Sequence, residues 1–444
     1  MSKLFGTDGI RAVAGSPPLD PPTVARIGAA IVRGMESSRP VRLIVGRDTR
    51  ESGEWIEREL ARGAVSQGAT LVSAGIVPTP AVAYLTRALD FDLGVVISAS
   101  HNPFQDNGIK VFSGRGEKFS EADERAVEAV IEDRGWKVEA AAEARFERAN
   151  LVDRYIEHVS RMLPDAGALR GARLGVDMAN GATTATAMRV FEALGFELVT
   201  LGDGPDGRNI NLRCGSTHPA GLAAAVVANG CRIGVAFDGD GDRVILVDHR
   251  GRVVDGDAVL LVLALHLRRH GKLHADTVVA TVMSNVGLEI ALRERGITML
   301  RTSVGDKYVM EAMLQSGFAL GGEQSGHVIL SEHLFTGDGL ATSLAVLSAM
   351  AASGRELAEL AADLVTYPQT LVNVRVREKT AVLDVPAVAE AMARVEAALA
   401  GHGRLLVRYS GTEPLLRIMI EGQDQATVRA WAEEIADAAR STLG

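Results

Sequence analysis

Three aspartates alternate with two glycines at Asp238-Gly239-Asp240-Gly241-Asp242, directly after the apolar run Ile233-Gly-Val-Ala-Phe237. The run reads as a buried strand that ends in a turn. Strand spacing would project the three carboxylates the same way, and the glycines would let the backbone fold closely around whatever they hold. Carboxylates this close repel, and each raises its neighbours' pKa unless a cation intervenes. Hard oxygen ligands favour Mg²⁺, which keeps waters and binds through few carboxylates plus a phosphate. An acidic surface turn is the plainer alternative, yet such turns rarely cap a hydrophobic strand and run straight into Arg243 and a second strand, Val244-Ile-Leu-Val247. An EF-hand loop does not fit, since no Glu follows at the required spacing. The five residues read as a metal site.

Open α/β sheets place their ligands at polar turns that follow strands, and further turns of that kind occur. Ser98-Ala-Ser-His-Asn-Pro103 follows Gly94-Val-Val-Ile97 and offers Ser100 as a nucleophile. A hydrolase triad is a weak reading, because no G-x-S-x-G elbow is present and His101 is poorly placed as a base. A Ser/Asn turn satisfied by its own backbone is the other structural possibility. Beside a carboxylate loop, a phosphoserine at Ser100 that ligands the metal is the better reading, because Mg²⁺ favours a phosphate partner. Lys110, in Asp106-Asn-Gly-Ile-Lys110, is either a surface lysine or a proton-transfer group at a sugar hydroxyl, the second requiring a pKa lowered by nearby cations.

In Gly321-Gly-Glu-Gln-Ser-Gly-His327, Glu323 accepts and Ser325 both donates and accepts, which suits adjacent sugar hydroxyls; a glycine-rich hairpin is the plain alternative. Arg408-Tyr-Ser-Gly-Thr-Glu-Pro414 with Arg417 places hydroxyls and backbone N–H groups around a glycine between two arginines, an anion nest. Neither a Walker A loop nor a Rossmann G-x-G-x-x-G at a βα turn is present. Gly6-Thr-Asp-Gly-Ile-Arg11 and Gly46-Arg-Asp-Thr-Arg50 add arginines beside glycines, each a weak signal alone.

The elements that must position these groups alternate. Strand patterns at 41–45, 69–72 and 93–97 are separated by amphipathic helices near 21–36, 54–67 and 79–89. The rhythm restarts with strands at 172–176, 197–200 and 233–236, and again at 276–281, 297–300 and 319–320, with helices at 256–270, 286–295 and 306–316. Such repetition argues for mixed, mainly parallel sheets covered on both faces. A charged Ala/Glu helix at 136–153 and the stretch 248–256 read as junctions. The last 75 or so residues change to strand (371–376), helix (387–399), paired strands (404–421) and helix (425–440), a small α+β unit. The expected domains are 1–152, 153–250, 251–366 and 367–444.

The chain has 444 residues, 47% hydrophobic and only 4% aromatic, which suits an α/β enzyme rather than a fibrous or disordered protein. A net charge of −9 without a basic block argues against nucleic acid as a partner. Two cysteines, Cys214 and Cys231, lack paired-ligand spacing and argue for reduced thiols rather than zinc. Neither a signal-peptide core nor an apolar run long enough to span a bilayer is evident, so the expectation is a cytoplasmic protein without a membrane partner.

In order along the chain, Gly6-Thr-Asp-Gly-Ile-Arg11, Ser98-Ala-Ser-His-Asn-Pro103, Asp238-Gly-Asp-Gly-Asp-Arg243, Gly322-Glu-Gln-Ser-Gly-His327 and Arg408-Tyr-Ser-Gly-Thr-Glu-Pro414 together resemble the α-D-phosphohexomutase superfamily. Gln324 between Glu323 and Ser325, with Asn209-Ile-Asn211 and Cys214-Gly-Ser-Thr-His-Pro219, is similar to its phosphoglucosamine mutase branch. The resemblance implies three α/β domains and a C-terminal α+β domain around a central cleft. It implies a phosphoserine at Ser100 and one Mg²⁺ per chain held by Asp238, Asp240, Asp242 and that phosphate, with His101 and Arg243 in support. Glu323 and Ser325 would read the sugar, and Arg408, Ser410, Gly411, Thr412 and Arg417 would bind the phosphate not being transferred. Lys110 would be the acid or base, with Arg11 and His327 as helpers. The implied reaction is interconversion of glucosamine 6-phosphate and glucosamine 1-phosphate through glucosamine or glucose 1,6-bisphosphate, on the route to UDP-N-acetylglucosamine and peptidoglycan precursors; a homodimer through the first domain is also implied. Competing readings are glucose or mannose phosphates as substrate, a non-catalytic sugar-phosphate sensor, and a metal-dependent phosphatase.

Overall fold

The computed structural model describes residues 4–6, 8–35, 39–133, 135–139, 141, 143–144, 147–410 and 413–444. Near the N-terminus, β1 (Ile10–Val13), β2 (Arg42–Arg47), β3 (Thr70–Ile76), β4 (Leu93–Ile97), β5 (Asp106–Ser113) and β6 (Glu147–Arg148) form one mixed sheet, ordered β1-β5-β4-β2-β3-β6. The strands β2, β3, β4 and β6 run parallel, while β5 lies antiparallel between β4 and β1. Every residue of β4 is buried, which is why it reads as an unbroken apolar run. Helix Pro21–Arg33 begins where Asp20 accepts the Thr23 amide and Pro occupies the first turn. Its Val24, Ile27 and Ile31 join Leu43, Val45, Leu60 and Val95 in one apolar core.

A second sheet, β7 (Arg173–Asp177), β8 (Glu197–Leu201), β9 (Ile233–Phe237), β10 (Val244–Asp248) and β11 (Val253–Val254), is ordered β11-β10-β9-β7-β8. A third, β12 (Thr277–Thr281), β13 (Thr298–Thr302), β14 (Leu320–Gly322) and β15 (Val328–Leu330), is ordered β13-β12-β14-β15. Each combines parallel pairs with an antiparallel edge, as the sequence leads one to expect. The fourth, β16 (Gln369–Arg375), β17 (Arg404–Tyr409) and β18 (Leu415–Glu421), is wholly antiparallel with β18 central, and helices Pro386–Leu399 and Gln425–Leu443 complete its apolar core.

One expectation needs correction. Among the described residues of 136–151 there is no helix; Glu147–Arg148 instead pairs with Val72–Ser73, and the helix spans Val152–Ser160. Alanine and glutamate favour helix only as a weak prior, and at Glu147–Arg148 the pairing with β3 prevails. The 248–256 junction contains β11, folded back on β10. Helix Gly339–Ser353 escapes the periodicity reading because it is buried on nearly all sides and shows no polar stripe.

The chain separates into two compact units, Met1–Met283 with Ile297–Ala362, and Ser284–Gly296 with Asp363–Gly444. Within the second, Glu421 accepts from the Val286 amide (3.1 Å), which ties helix Val286–Glu294 to β18. Among the described residues, no helix is long and apolar enough to cross a membrane.

Candidate active site

Asp238–Arg243 is the turn that joins antiparallel β9 and β10, whose Phe237 and Val244 are paired. The three carboxylates therefore converge by a turn rather than by strand alternation. Gly241 takes φ +72°, and a Cβ there would meet Thr183 at 2.6 Å. At Gly239 a Cβ would meet the Ser100 carbonyl oxygen at 2.6 Å, so only glycine lets the two loops approach this closely.

All three carboxylates are buried; Asp240 and Asp242 accept hydrogen bonds on Oδ2, and Asp238 accepts on both oxygens. Asp240 Oδ2 accepts from Thr79 Oγ1 (2.6 Å) and Lys110 Nζ (2.8 Å). Asp242 Oδ2 accepts from Lys110 at 3.1 Å. Asp238 accepts from the Arg243 amide (3.2 Å) and from Ser100 Oγ (2.5 Å). The Oδ1 atoms of Asp240 and Asp242 are buried without a hydrogen-bond partner, and ligand atoms of the three aspartates lie within 4.8 Å of one another. Buried carboxylate oxygens without a hydrogen-bond partner, beside oxygens fixed by protein donors, suit a hard divalent cation. Burial and the charges of Asp242 and Asp240 hold Asp238 well above the usual carboxylate range. Burial also works against Asp242, but Lys110 and His327 outweigh it and hold that group well below the range.

Ser100 sits in the β4–β5 loop with φ +51°. His101 Nδ1 lies 3.4 Å from its Oγ and 3.2 Å from Arg243 Nη1. Burial, then Arg243 and Arg11, lower the His101 pKa, so a neutral ring accepts from Arg243. Arg11, His101 and Arg243 line a cleft of about 430 Å³ with Asp8 and Gly9. The Nε of Arg11 is buried without a hydrogen-bond partner, which suits an entering anion, while the Nε of Arg243 stands 3.8 Å from Asp242 Oδ1.

Lys110 pairs with Val96 across β4–β5. Its ammonium meets Asp8 (2.9 Å) as well as Asp240 and Asp242. Burial opposes its charge, but those three carboxylates raise its pKa well above the ordinary value. The lowered pKa expected from nearby cations is thus overturned: its nearest charges are anions. Lys118 joins Asp8 (2.6 Å) to Asp306. His327 Nδ1 lies 3.7 Å from Asp242, and its Nε2 accepts from the Gly337 amide at 2.9 Å. Asp306 and Asp242 outweigh burial and raise the His327 pKa, while the Gly337 N–H directed at Nε2 opposes a second ring proton.

Glu323–His327 is the turn of the β14–β15 hairpin, so the glycine-rich hairpin and the candidate sugar reader are one feature. Glu323 is buried and accepts from the Gly305 amide (3.2 Å), while Ser325 is exposed. Gln324 turns its amide to Asp255 (3.1 Å), at the N-cap of helix Gly256–Arg269, and so anchors the hairpin. In the second unit, Arg408 and Arg417 face each other across β17–β18. Ser410 is buried; its Oγ accepts from the Glu413 amide (3.3 Å) and its carbonyl from Lys379 (2.6 Å). Arg417 reaches Glu413 at 3.2 Å, and its Nε is buried without a hydrogen-bond partner. Gly411 and Thr412 lie outside the described residues.

Family models described as phosphoglucomutase/phosphomannomutase α/β/α domains I, II and III match residues 2–137, 153–251 and 255–367, and the C-terminal domain of that family matches 371–438. The chain belongs to the phosphoglucomutase/phosphomannomutase family. A phosphoglucosamine mutase from Solibacter usitatus is 49% identical over 444 residues, 99% of each chain. Another, from Moorella thermoacetica, is 50% identical over 432 residues, 96% of each. A crystal structure of a phosphoglucomutase/phosphomannomutase family protein from Burkholderia thailandensis matches at TM-score 0.81 and 27% identity, covering 99% of this chain and 98% of that one.

Within this phosphoglucomutase/phosphomannomutase fold, reasoning from sequence missed Asp8, Thr79, Lys118 and Asp306. Asp8 lay inside the Gly6–Arg11 motif and could have been singled out there. Thr79 and Asp306 carry no local signal, since their partners stand 161 and 188 residues away.

Proposed function

We propose that the protein interconverts glucosamine 6-phosphate and glucosamine 1-phosphate through a phosphoserine at Ser100 and a hexose 1,6-bisphosphate. The observation that carries this reading is Ser100 Oγ at 2.5 Å from Asp238, inside a cluster whose Asp240 keeps one oxygen without a hydrogen-bond partner and whose Asp242 Oδ1 faces His327 Nδ1 (3.7 Å) and Arg243 Nε (3.8 Å). Those aspartates and the phosphoserine would hold Mg²⁺, which would neutralise charge on the transferred phosphoryl group.

In the first half-reaction the sugar hydroxyl oxygen bonds phosphorus as the bond from phosphorus to Ser100 Oγ breaks, and the electron pair stays on Oγ. The hydroxyl proton must end on Oγ. Lys110, kept protonated by three carboxylates, donates to the leaving oxygen and recovers its proton from the hydroxyl, a relay rather than a free base. The bisphosphate then turns and returns its other phosphate to Ser100. Arg11, His101 and Arg243 face the anionic end; Glu323 reads sugar hydroxyls with Ser325. Arg408, Ser410 and Arg417, with Gly411 and Thr412, bind the phosphate that stays. The same reading takes glucosamine or glucose 1,6-bisphosphate as activator and places a homodimer in the cytoplasm.

The test is isomerase activity with Mg²⁺ and a catalytic amount of glucose 1,6-bisphosphate, comparing glucosamine 1-phosphate with glucose 1-phosphate. Preference for the amino sugar supports the reading. Preference for glucose overturns its substrate and leaves the phosphoserine chemistry; free phosphate without isomer makes the protein a phosphatase.

A further inference from the structure

Arg50 belongs to neither the acidic cluster nor the anion cleft, yet its side chain is wholly buried against an equally buried Asp48, Nε to Oδ2 2.8 Å. Its two terminal nitrogens reach four carbonyl oxygens of the serine loop. Nη2 donates to Ser100 (3.0 Å) and Asn102 (2.8 Å), and Nη1 donates to Pro103 and to Asp106 (3.0 Å). Asn211 Nδ2 adds a second donor to Ser100 (2.9 Å) and Asn102 (3.2 Å). From the other direction, the Ser100 amide donates to Ser98 Oγ (2.9 Å), which donates to Asp48 Oδ2 (2.6 Å). The Ser100 backbone is thus gripped at N–H and at C=O by one buried ion pair and its attachments, while its Oγ alone points to Asp238.

The grip has a conformational cause. Ser100 adopts φ +51°, a region that residues with a Cβ rarely occupy unless their surroundings impose it. The same contacts turn the negative ends of four carbonyls toward the guanidinium, so they do not compete with the phosphoryl group for nearby cations. We propose that Arg50 is a positioning residue for phosphoryl transfer: it holds the loop by its carbonyls and so fixes Ser100 in the left-handed conformation that presents Oγ at the aspartate cluster. This rests on the phosphoserine reading above. A planar fork supplies donors in fixed directions from one buried point, which a lysine ammonium cannot reproduce.

The experiment compares wild type, Arg50→Lys, Arg50→Ala and Asn211→Ala in the intact protein. Readouts are kcat and KM for glucosamine 1-phosphate, Ser100 phosphorylation by intact mass after incubation with glucose 1,6-bisphosphate, and thermal melting. Arg50→Lys should lower kcat about 100-fold, the scale of a misplaced reacting atom, with KM within about threefold because the substrate contacts remain. Asn211→Ala, which removes the shared donor and leaves alanine at φ +58°, should lower kcat about tenfold and melt as a folded protein. Guanidinium ion at millimolar concentration should restore part of the turnover of Arg50→Ala and none to Ser100→Ala.

Unchanged kcat in folded Arg50→Lys, or a loss confined to KM, overturns the proposal. Should both Arg50 variants fail to fold, Asn211→Ala decides: a wild-type kcat in that variant also overturns it. A wild type that neither isomerises nor becomes phosphorylated at Ser100 would instead defeat the mutase reading.

Discussion

At the Ser100 centre every carboxylate is buried and already held by Thr79, Lys110, the Arg243 amide or Ser100 itself, whereas in the C-terminal hairpin Arg408 and Arg417 stand opposite each other with Glu413 on one of them. In the first region every carboxylate has a protein donor before any ligand arrives, although the Oδ1 atoms of Asp240 and Asp242 keep no hydrogen bond. The second keeps two like charges facing across a strand pair, an arrangement that costs stability unless an anion sits between them. Prearranged charge acts on the barrier of the chemical step, while unbalanced charge acts on binding. Substitutions in the two regions should therefore separate into losses of kcat and losses of KM.

The largest effect belongs to Ser100→Ala. With the nucleophile gone, kcat should fall by a factor on the order of 10⁵, with melting close to wild type; substantial residual turnover would remove Ser100 from the reaction. Next comes the cation. Chelation should abolish turnover, Mg²⁺ should restore it, and Asp240→Asn should cut kcat about 10³-fold. Activity that persists in excess chelator would break the assignment of the acidic loop.

Arg417→Ala tests the other side of the comparison. Loss of a charged hydrogen bond to phosphate should raise KM by roughly 10- to 100-fold, with Ser100 phosphorylation and melting temperature unchanged or the latter slightly higher. A fall in kcat with constant KM would erase the contrast between the regions.

The smallest effect on the chemistry, and the clearest on stability, concerns Asp8. Burial alone would raise its pKa, but Lys110, Lys118 and Arg11 hold it well below the usual range. A carboxyl depressed on folding contributes stability that is present above its unfolded value near 4 and is lost as pH falls through the folded value. Asp8→Asn should cost about 3 kcal/mol at neutral pH, because it leaves the buried Lys110 and its neighbour Lys118 short of a partner. It should also flatten the decline below pH 4 in denaturant melts, while Arg417→Ala keeps the wild-type slope. Equal slopes in both variants would show that Asp8 is not depressed.

Much of this was legible in the sequence where the signal was local. The strand Leu93–Ile97 and the helix Asp306–Ser316 have the boundaries that their apolar runs and flanking turns suggest. The acidic turn, the serine turn and the arginine hairpin each announce a charge pattern within a few residues. The Ala/Glu stretch misleads at its end, where Glu147 and Arg148 pair with the β3 edge, and helix Gly339–Ser353 is hidden because burial on nearly all sides erases its period.

By itself, the sequence determined which residue types meet at each turn, and hence the class of chemistry: carboxylates for a hard cation, a serine for phosphate, arginines for an anion. Only the tertiary structure decided what surrounds them. It set three carboxylates around Lys110 and so raised the pKa that cations were expected to lower, and it placed Arg50 behind the serine loop. The neighbours that decide these two groups stand 50 to 132 residues away in sequence, and no local pattern carries that information.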